Sequence, residues 1–109
     1  MKLSVLVGVL LLFALRMTAT DYYSDPVSGS MSNSGAGTSP WGSLSDIFTA
    51  NKKFEVGDTI FLRTGNHGYA VIKGVNTGFV VIMPETGHSP VISRVRISST
   101  ANSPAQFWK

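Results

Sequence analysis

Two histidines are the side chains of this sequence whose type and spacing point most directly to chemistry. His67 and His88 occupy equivalent places in two similar stretches of sequence, and in a repeating structure they would stack at one corner. A pair of stacked imidazoles can bind a metal ion or a sugar. Corner histidines more often hydrogen-bond the backbone, so both interpretations stay open from the sequence alone.

Three cations in the second half of the chain form a second candidate. Arg94 and Arg96, together with Lys73, would form a positive strip able to face an anionic glycan. The alternative is a solvated face without a ligand, which is the usual fate of exposed charges. No substrate-binding residue is therefore assigned.

An oxygen-rich loop is the third candidate. Asp25, Ser28 and Asn33 resemble part of a calcium loop, but the acids are too few for a dedicated site. The sequence also lacks a glycine-rich phosphate loop, zinc-ligand spacing and a serine-triad signature. We assign no metal ligand and no catalytic residue to this chain.

The first part of the chain, residues 1–20, has the pattern of a secretory signal. A positive start at Met1-Lys2 precedes an almost wholly apolar run from Leu3 to Leu15, and small or polar residues follow at positions 18–20. The run is shorter than the roughly 20 apolar residues of a membrane anchor, which is the alternative. We predict a signal peptide over 1–20, cut after Ala19 or Thr20, and a secreted product (periplasmic or extracellular) that is not held in a membrane after cleavage.

Charge and cysteine content limit the mature part. Without Lys2 and Arg16, seven cations face six acids, a net charge of +1. This balance lacks the clustered Lys and Arg of a nucleic-acid-binding surface. Cysteine is absent, so an exported domain of this size must be stabilised by burial or by repetition rather than by disulfides.

Residues 21–56 are predicted to form a loop and a short helix. The segment from Asp21 to Trp41 is rich in Gly, Ser, Asn, Thr and Pro, which favour turns; Tyr22 and Tyr23 suggest a short strand, and Trp41 would pin the loop to the body. Ser43 is a predicted N-cap with an acid three residues later. The helix over 44–50 has one apolar stripe, formed by Leu44, Ile47 and Phe48.

Residues 57–109 are predicted to form strands that repeat. Strands are expected at 59–63, 70–72, 79–83, 90–92 and 95–97, separated by Gly-, Asn- and Pro-containing corners. Positions in the first stretch match later positions at nearly constant offset, namely Gly57/Gly78, Ile60/Val81, Leu62/Met83, Thr64-Gly65/Thr86-Gly87, His67/His88, Val71-Ile72/Val91-Ile92 and Val75/Val95.

The spacing of these matches, a period near 21 with short strands, is typical of a β-solenoid, in which successive coils pair in parallel. Ile60, Leu62, Val81 and Met83 would stack inside, and the preceding helix would cap the open apolar end. A leucine-rich repeat has a similar period, but its Leu/Asn ladder is missing. A small antiparallel sandwich remains the alternative.

The string YYSDPVSGSMSNSGAGTSPWGSL, the helix, and then VGDTIFLRTGNHG resemble the N-terminal region of secreted right-handed parallel β-helix proteins. These form the pectin-lyase-like superfamily, which includes chondroitinase-B-like and alginate-lyase-like polysaccharide lyases. The resemblance covers about Tyr22 to Arg96. It implies an all-β, right-handed parallel β-helix with a short N-terminal capping helix after a signal peptide, and an acidic polysaccharide as partner.

The chain departs from the superfamily in its length. It ends at Lys109 after about two coils, and residues 98–109 show no third full coil, so we expect residues 57–109 to be the first coils of a truncated β-helix. Catalytic Lys or Arg residues and calcium-binding acids belong to middle coils of the relatives, so no residue here inherits those roles. The resemblance implies calcium only for full-length relatives, and no cofactor is expected in this chain.

Three functions remain open from the sequence. The leading expectation is an N-terminal fragment of a secreted carbohydrate-active β-helix protein that acts on or binds acidic polysaccharide, with its catalytic coils missing. The second is a non-catalytic surface or adhesive β-helix, and the third a self-sufficient small binding module. Whether the parent protein is an enzyme is undecided.

Overall fold

The computed structural model describes residues 18–72, 75–97 and 106–108, of which 75–77 and 106–108 are described by their backbone alone. Most of the predicted signal peptide and Lys73 therefore lie outside the described residues. Within these ranges, no helix combines the length and hydrophobicity needed to span a bilayer.

The N-terminal segment of the described chain forms a strand, a docked loop and a helix. Strand β1 is Asp21–Ser24, as the two tyrosines suggested. The loop ends at Trp41, which is only 4% exposed and stacks on Tyr22 with 4.7 Å between ring centroids. Because its indole N–H also donates to the Asn33 carbonyl at 2.9 Å, Trp41 pins the loop as predicted.

The predicted helix is confirmed as α1, Leu44–Thr49, and ends one residue earlier than expected. Ser43 Oγ accepts the Asp46 backbone N–H, and Asp46 Oδ2 accepts the Ser43 backbone N–H, each at 3.1 Å. This reciprocal capping box satisfies two N–H groups that a helix start otherwise leaves unpaired. The apolar stripe of the helix is buried, as predicted.

Further strands follow the helix in the described ranges. They are β2 Thr59–Leu62, β3 Gly65–Asn66, β4 Tyr69–Ile72, β5 Val75–Pro84, β6 Pro90–Val91, β7 Arg94–Ile97 and β8 Gln106–Trp108. Every pairing between the described strands is parallel. The first sheet has the order β1-β2-β5-β8, the second is β3-β6 and the third is β4-β7.

The strands fall into two units that follow the same path. In the first unit (residues 59–72) the chain passes through β2, β3 and β4, and in the second unit (residues 75–97) it passes through β5, β6 and β7. Each strand of the first unit pairs with the corresponding strand of the second. Such parallel pairing requires a crossover through other elements, and here the remaining strands of each unit supply it. Sequence reasoning missed β3 and β8.

The predicted offsets between the units were wrong. Thr59 lies opposite Val81 in the first sheet, where Ile60 had been expected to match it. In the other two sheets Gly65 lies opposite Pro90, and Val71 lies opposite Arg96. The number of residues that separates paired positions of the two units increases at one corner. This corner spans 63–64 in the first unit and the longer segment 85–89 in the second. The proposed match of Val71-Ile72 with Val91-Ile92 therefore does not hold.

The register also corrects the predicted core. Ile60 and Leu62 point inward and are 0% and 2% exposed, as expected. Val81 and Met83 do not stack beneath them, because a one-residue difference in register turns side chains to the other face. Val80, which is fully buried, and the partly buried Ile82 hold the inner positions instead, and Met83 is 43% exposed.

Helix α1 covers the first unit. Its three buried side chains form one core with residues of β2 and β4, namely Ile60, Leu62, Ala70 and Ile72, and with Trp41. The opposite side of the second unit is open: Val95 and Ile97 pair in register with Ala70 and Ile72, yet they are 48% and 62% exposed. The helix thus covers the first unit, whereas the second unit exposes apolar side chains on the opposite side.

Candidate functional site

The outer face of the third sheet brings an aromatic side chain and two arginines together. Alternate residues of a strand point to opposite faces, and register partners in a parallel pair share a face. Since Ala70 and Ile72 point into the core, their neighbours Tyr69 and Val71 point outward. Their register partners are Arg94 and Arg96. We call these four residues the outer basic face.

Tyr69 lies at one end of this face and faces a shallow groove. The Arg94 guanidinium lies 5.5 Å from the centre of the Tyr69 ring, within the range of a cation–π contact. Tyr69 is 42% exposed. Together with Val71 and two residues of α1, Phe48 and Thr49, it lines an open groove of about 270 Å³.

The cations of the outer basic face are not neutralised by nearby acids. Both Arg94 and Arg96 are exposed, and in the parts of the chain that the structure describes neither makes an ion pair. Their Cβ atoms are about 7 Å apart, two residues along a strand. The predicted strip is therefore present at these two positions, while its third member, Lys73, is outside the described residues.

Arg63 differs from these arginines because its guanidinium makes hydrogen bonds and ion pairs within the fold. Its Nε donates to Glu85 Oε2 at 2.7 Å, its Nη2 donates to the Gly37 carbonyl at 3.0 Å, and its Nη1 lies 3.9 Å from Asp25 Oδ2. The hydrogen bond to Glu85, followed by the charges of Glu85 and Asp25, raises the pKa of Arg63 above its usual range. Arg63 therefore links the loop to both units and has a structural role.

The candidate calcium loop uses its oxygens internally. Asp25 Oδ1 accepts the backbone N–H groups of Val27 and Ser28, and Oδ2 accepts the Ser28 hydroxyl at 2.7 Å. Burial would by itself raise the pKa of Asp25, but these hydrogen bonds and the Arg63 charge outweigh it and lower the pKa. Asn33 donates to the Pro40 carbonyl. Across the described ranges, no group of three or more His, Asp or Glu side chains converges as a metal site would require.

His67 is a buried structural residue. It is 0% exposed; its Nδ1 accepts the Leu44 backbone N–H at 3.1 Å, and its Nε2 lies 2.7 Å from the Arg63 carbonyl. An N–H donor at Nδ1 and a carbonyl at Nε2 require the neutral tautomer with its proton on Nε2. The Ser24 hydroxyl, 3.3 Å from Nδ1, donates to the Gly42 carbonyl at 2.6 Å. His67 therefore joins the start of α1 to the corner after β2.

His88 occupies a different place, so the predicted stacking of the two histidines was wrong. Its Nδ1 accepts the Thr64 backbone N–H at 3.0 Å, and its Nε2 lies 3.5 Å from Glu85 Oε2. His67 instead donates its backbone N–H to the Val91 carbonyl. The longer corner at 85–89 causes the offset, and no two-histidine site forms. Each histidine instead bonds backbone, the alternative that the sequence left open.

The outer basic face can bind a flat or extended anion through ionic contacts beside an aromatic surface. Arg94 and Arg96 were candidates from the sequence, but Tyr69 was missed. The only sequence signal was its spacing, because Tyr69 lies two residues before Val71 and alternate side chains of a strand share a face. Its contact with Arg94 depends on the register of β4 with β7. In comparisons with protein-family models, curated proteins and solved structures, the chain matches none of them.

Proposed function

We propose that this chain forms the capped start of a secreted right-handed parallel β-helix and that its outer basic face binds acidic polysaccharide. The single observation that carries the binding proposal is the pair of exposed, unneutralised arginines beside Tyr69. A polymer with a carboxylate or sulfate on successive sugars offers the opposite charge at regular intervals. Arginine binds such groups through two parallel N–H donors.

The path of the strands supports the β-helix part of the proposal. Three strands of one unit pair in parallel and in the same order with three strands of the next. A chain that winds repeatedly in one direction produces this order, whereas a sandwich of hairpins pairs neighbouring strands antiparallel. The apolar end left at Val95 and Ile97 is a surface on which a further coil would pack, as in repeat proteins.

The surroundings of the outer basic face support an extended ligand. The groove is open, and it is lined by two aromatic residues, Tyr69 and Phe48, and two smaller ones, Thr49 and Val71. An enclosed pocket would favour a small molecule that is mostly buried. An open strip with charge along one strand instead suits a polymer that lies across the surface.

The experiment measures binding of the full chain to alginate, pectate and chondroitin sulfate, with dextran as an uncharged comparison. The variant Arg94→Gln/Arg96→Gln removes both exposed charges. Because an exposed ion pair contributes about 0.2–1 kcal/mol, we expect affinity to fall about two- to thirtyfold. Raising the salt concentration should weaken wild-type binding, since screening acts strongly on exposed charges.

The matched control removes two other cations. Lys52→Gln/Lys53→Gln changes the net charge equally, at two positions that follow α1 in the sequence and are not part of the outer basic face. This variant should keep most of the affinity. Equal losses in both double variants would show that only net charge matters, and equal binding of dextran would contradict the proposal. Absorbance of unsaturated products in the same mixtures would reveal lyase turnover, which we do not expect from this chain.

A further inference from the structure

Asp58 is a buried carboxylate, and one of its two side-chain partners, Thr20, lies at the end of the proposed leader. Asp58 is 1% exposed. Its Oδ1 accepts the backbone N–H of Thr20 at 2.8 Å, and its Oδ2 accepts the backbone N–H of Glu55 at 2.8 Å. A carboxylate removed from water needs such donors, and a positive charge stabilises it further.

Thr20 is also the first residue held by the sheet. Its carbonyl accepts the Thr59 backbone N–H at 3.0 Å, immediately before β1 begins at Asp21. Thr20 is exposed, as are the two residues before it, Thr18 and Ala19, which belong to no strand. Removing them would therefore leave the sheet unchanged.

From this geometry we infer that the exported chain is cut between Ala19 and Thr20, and that the new α-ammonium group of Thr20 pairs with Asp58. The inference rests on the proposed export of the chain. In the processing step, an export peptidase hydrolyses the Ala19–Thr20 peptide bond with one water molecule. Ala19 leaves as a carboxylate, and the Thr20 nitrogen, with the proton released, becomes an ammonium group.

The two cuts that the sequence allows have opposite consequences for Asp58. A cut after Ala19 keeps the Thr20 nitrogen in place and turns a neutral donor into a charged one, which strengthens the hydrogen bond. A cut after Thr20 removes that donor and leaves Oδ1 of a buried carboxylate without its partner. It also removes the acceptor of the Thr59 backbone N–H, so a second backbone group loses its hydrogen bond. Alanine before the cut also suits the small-residue preference of signal cleavage.

The first test is export of the full chain, leader included, from a secreting bacterial host. Intact mass and N-terminal sequencing of the released protein should identify Thr20 as the first residue. A product that begins at Asp21, or at any other residue, would overturn the inference while leaving export itself supported. A chain that keeps its leader would overturn both this inference and the proposed export.

The second test measures the reactivity of the Thr20 amine in the exported protein. At neutral pH, acetic anhydride should acylate this amine at least about tenfold more slowly in the folded protein than in urea, because a charge-assisted hydrogen bond holds it. Asp58→Asn should remove most of this protection, whereas Asp21→Asn, which changes an exposed acid beside the amine, should not. Equal rates in folded and unfolded wild-type protein would refute the pairing, whatever the variants do.

Discussion

Replacement of His67 by phenylalanine tests a fully buried side chain that bonds two backbone groups. Phenylalanine fills nearly the same space but offers no ring nitrogen to the Leu44 N–H or the Arg63 carbonyl, which lie 3.1 Å and 2.7 Å from the imidazole. His67 is fully buried, so water cannot replace either bond. Each unsatisfied buried group costs about 1–3 kcal/mol. The variant should therefore lose about 2–6 kcal/mol, a large part of the stability of a small domain.

The assay is urea unfolding of the full chain, with the free energy taken from the midpoint at unchanged slope. His88→Phe is the matched control, because His88 is 35% exposed and water can reach the Thr64 N–H that it bonds. It should lose about 1 kcal/mol or less. His67→Asn keeps one acceptor near Leu44 and should fall between the two. Equal losses at positions 67 and 88, or a more stable His67→Phe, would refute the role assigned to His67.

Three smaller predictions follow from the corners and the register. Asp25→Asn should reduce the loss of unfolding free energy at acid pH. The pKa of Asp25 is lowered in the fold, so its stabilising contribution is present above the unfolded pKa near 4 and is lost as pH falls through the folded pKa. Urea unfolding between about pH 5 and pH 1 would show the difference. Gly65→Ala should cost about 3 kcal/mol and Gly87→Ala about 1 kcal/mol in the same assay. Both glycines have positive φ, but only at Gly65 would the new Cβ meet Pro26 Cγ, at 2.5 Å. Equal losses would contradict this packing. Val80→Thr should cost about 1–3 kcal/mol because it buries a hydroxyl, and Val81→Thr, on the outer face, should change thermal stability little; the reverse order would contradict the register of β2 with β5.

The start of the helix was predictable because its signal is local. Ser43 and Asp46 form the capping box within four residues of sequence, and the stripe of α1 follows the helical period. Neither feature depends on distant residues. The alternation of Val95, Arg96 and Ile97 likewise predicted a short strand, which in the structure also includes Arg94.

The register could not be predicted because the relevant strand has no alternation. Residues Phe79 to Met83 are all apolar, so the sequence does not indicate which of them face the core. The similar Thr-Gly pairs at 64–65 and 86–87 suggested equivalent corners, but the second corner is longer than the first. A shift of one residue in the first sheet exchanged Val81 for Val80 in the core.

The role of His67 was hidden for a different reason. Its sequence neighbours give it a corner position, and its burial comes from contact with residues far away in the sequence, at Leu44 and Ser24. The same holds for Tyr69, whose contact with Arg94 crosses from one unit to the next. Such contacts follow from how the units stack and are not encoded in local periodicity.

The direction in which successive strands run is tested most directly by backbone NOEs in the labelled full chain. We expect contacts between Asp58 and Val81 and between Leu62 and Glu85, whose backbone groups are hydrogen-bonded at 3.0 Å and 2.9 Å. From the first contact to the second, the residue numbers increase on both strands, as parallel pairing requires. Contacts that instead join Asp58 to the end of β5 and Leu62 to residues near Val81 would show antiparallel pairing and contradict the stacked units.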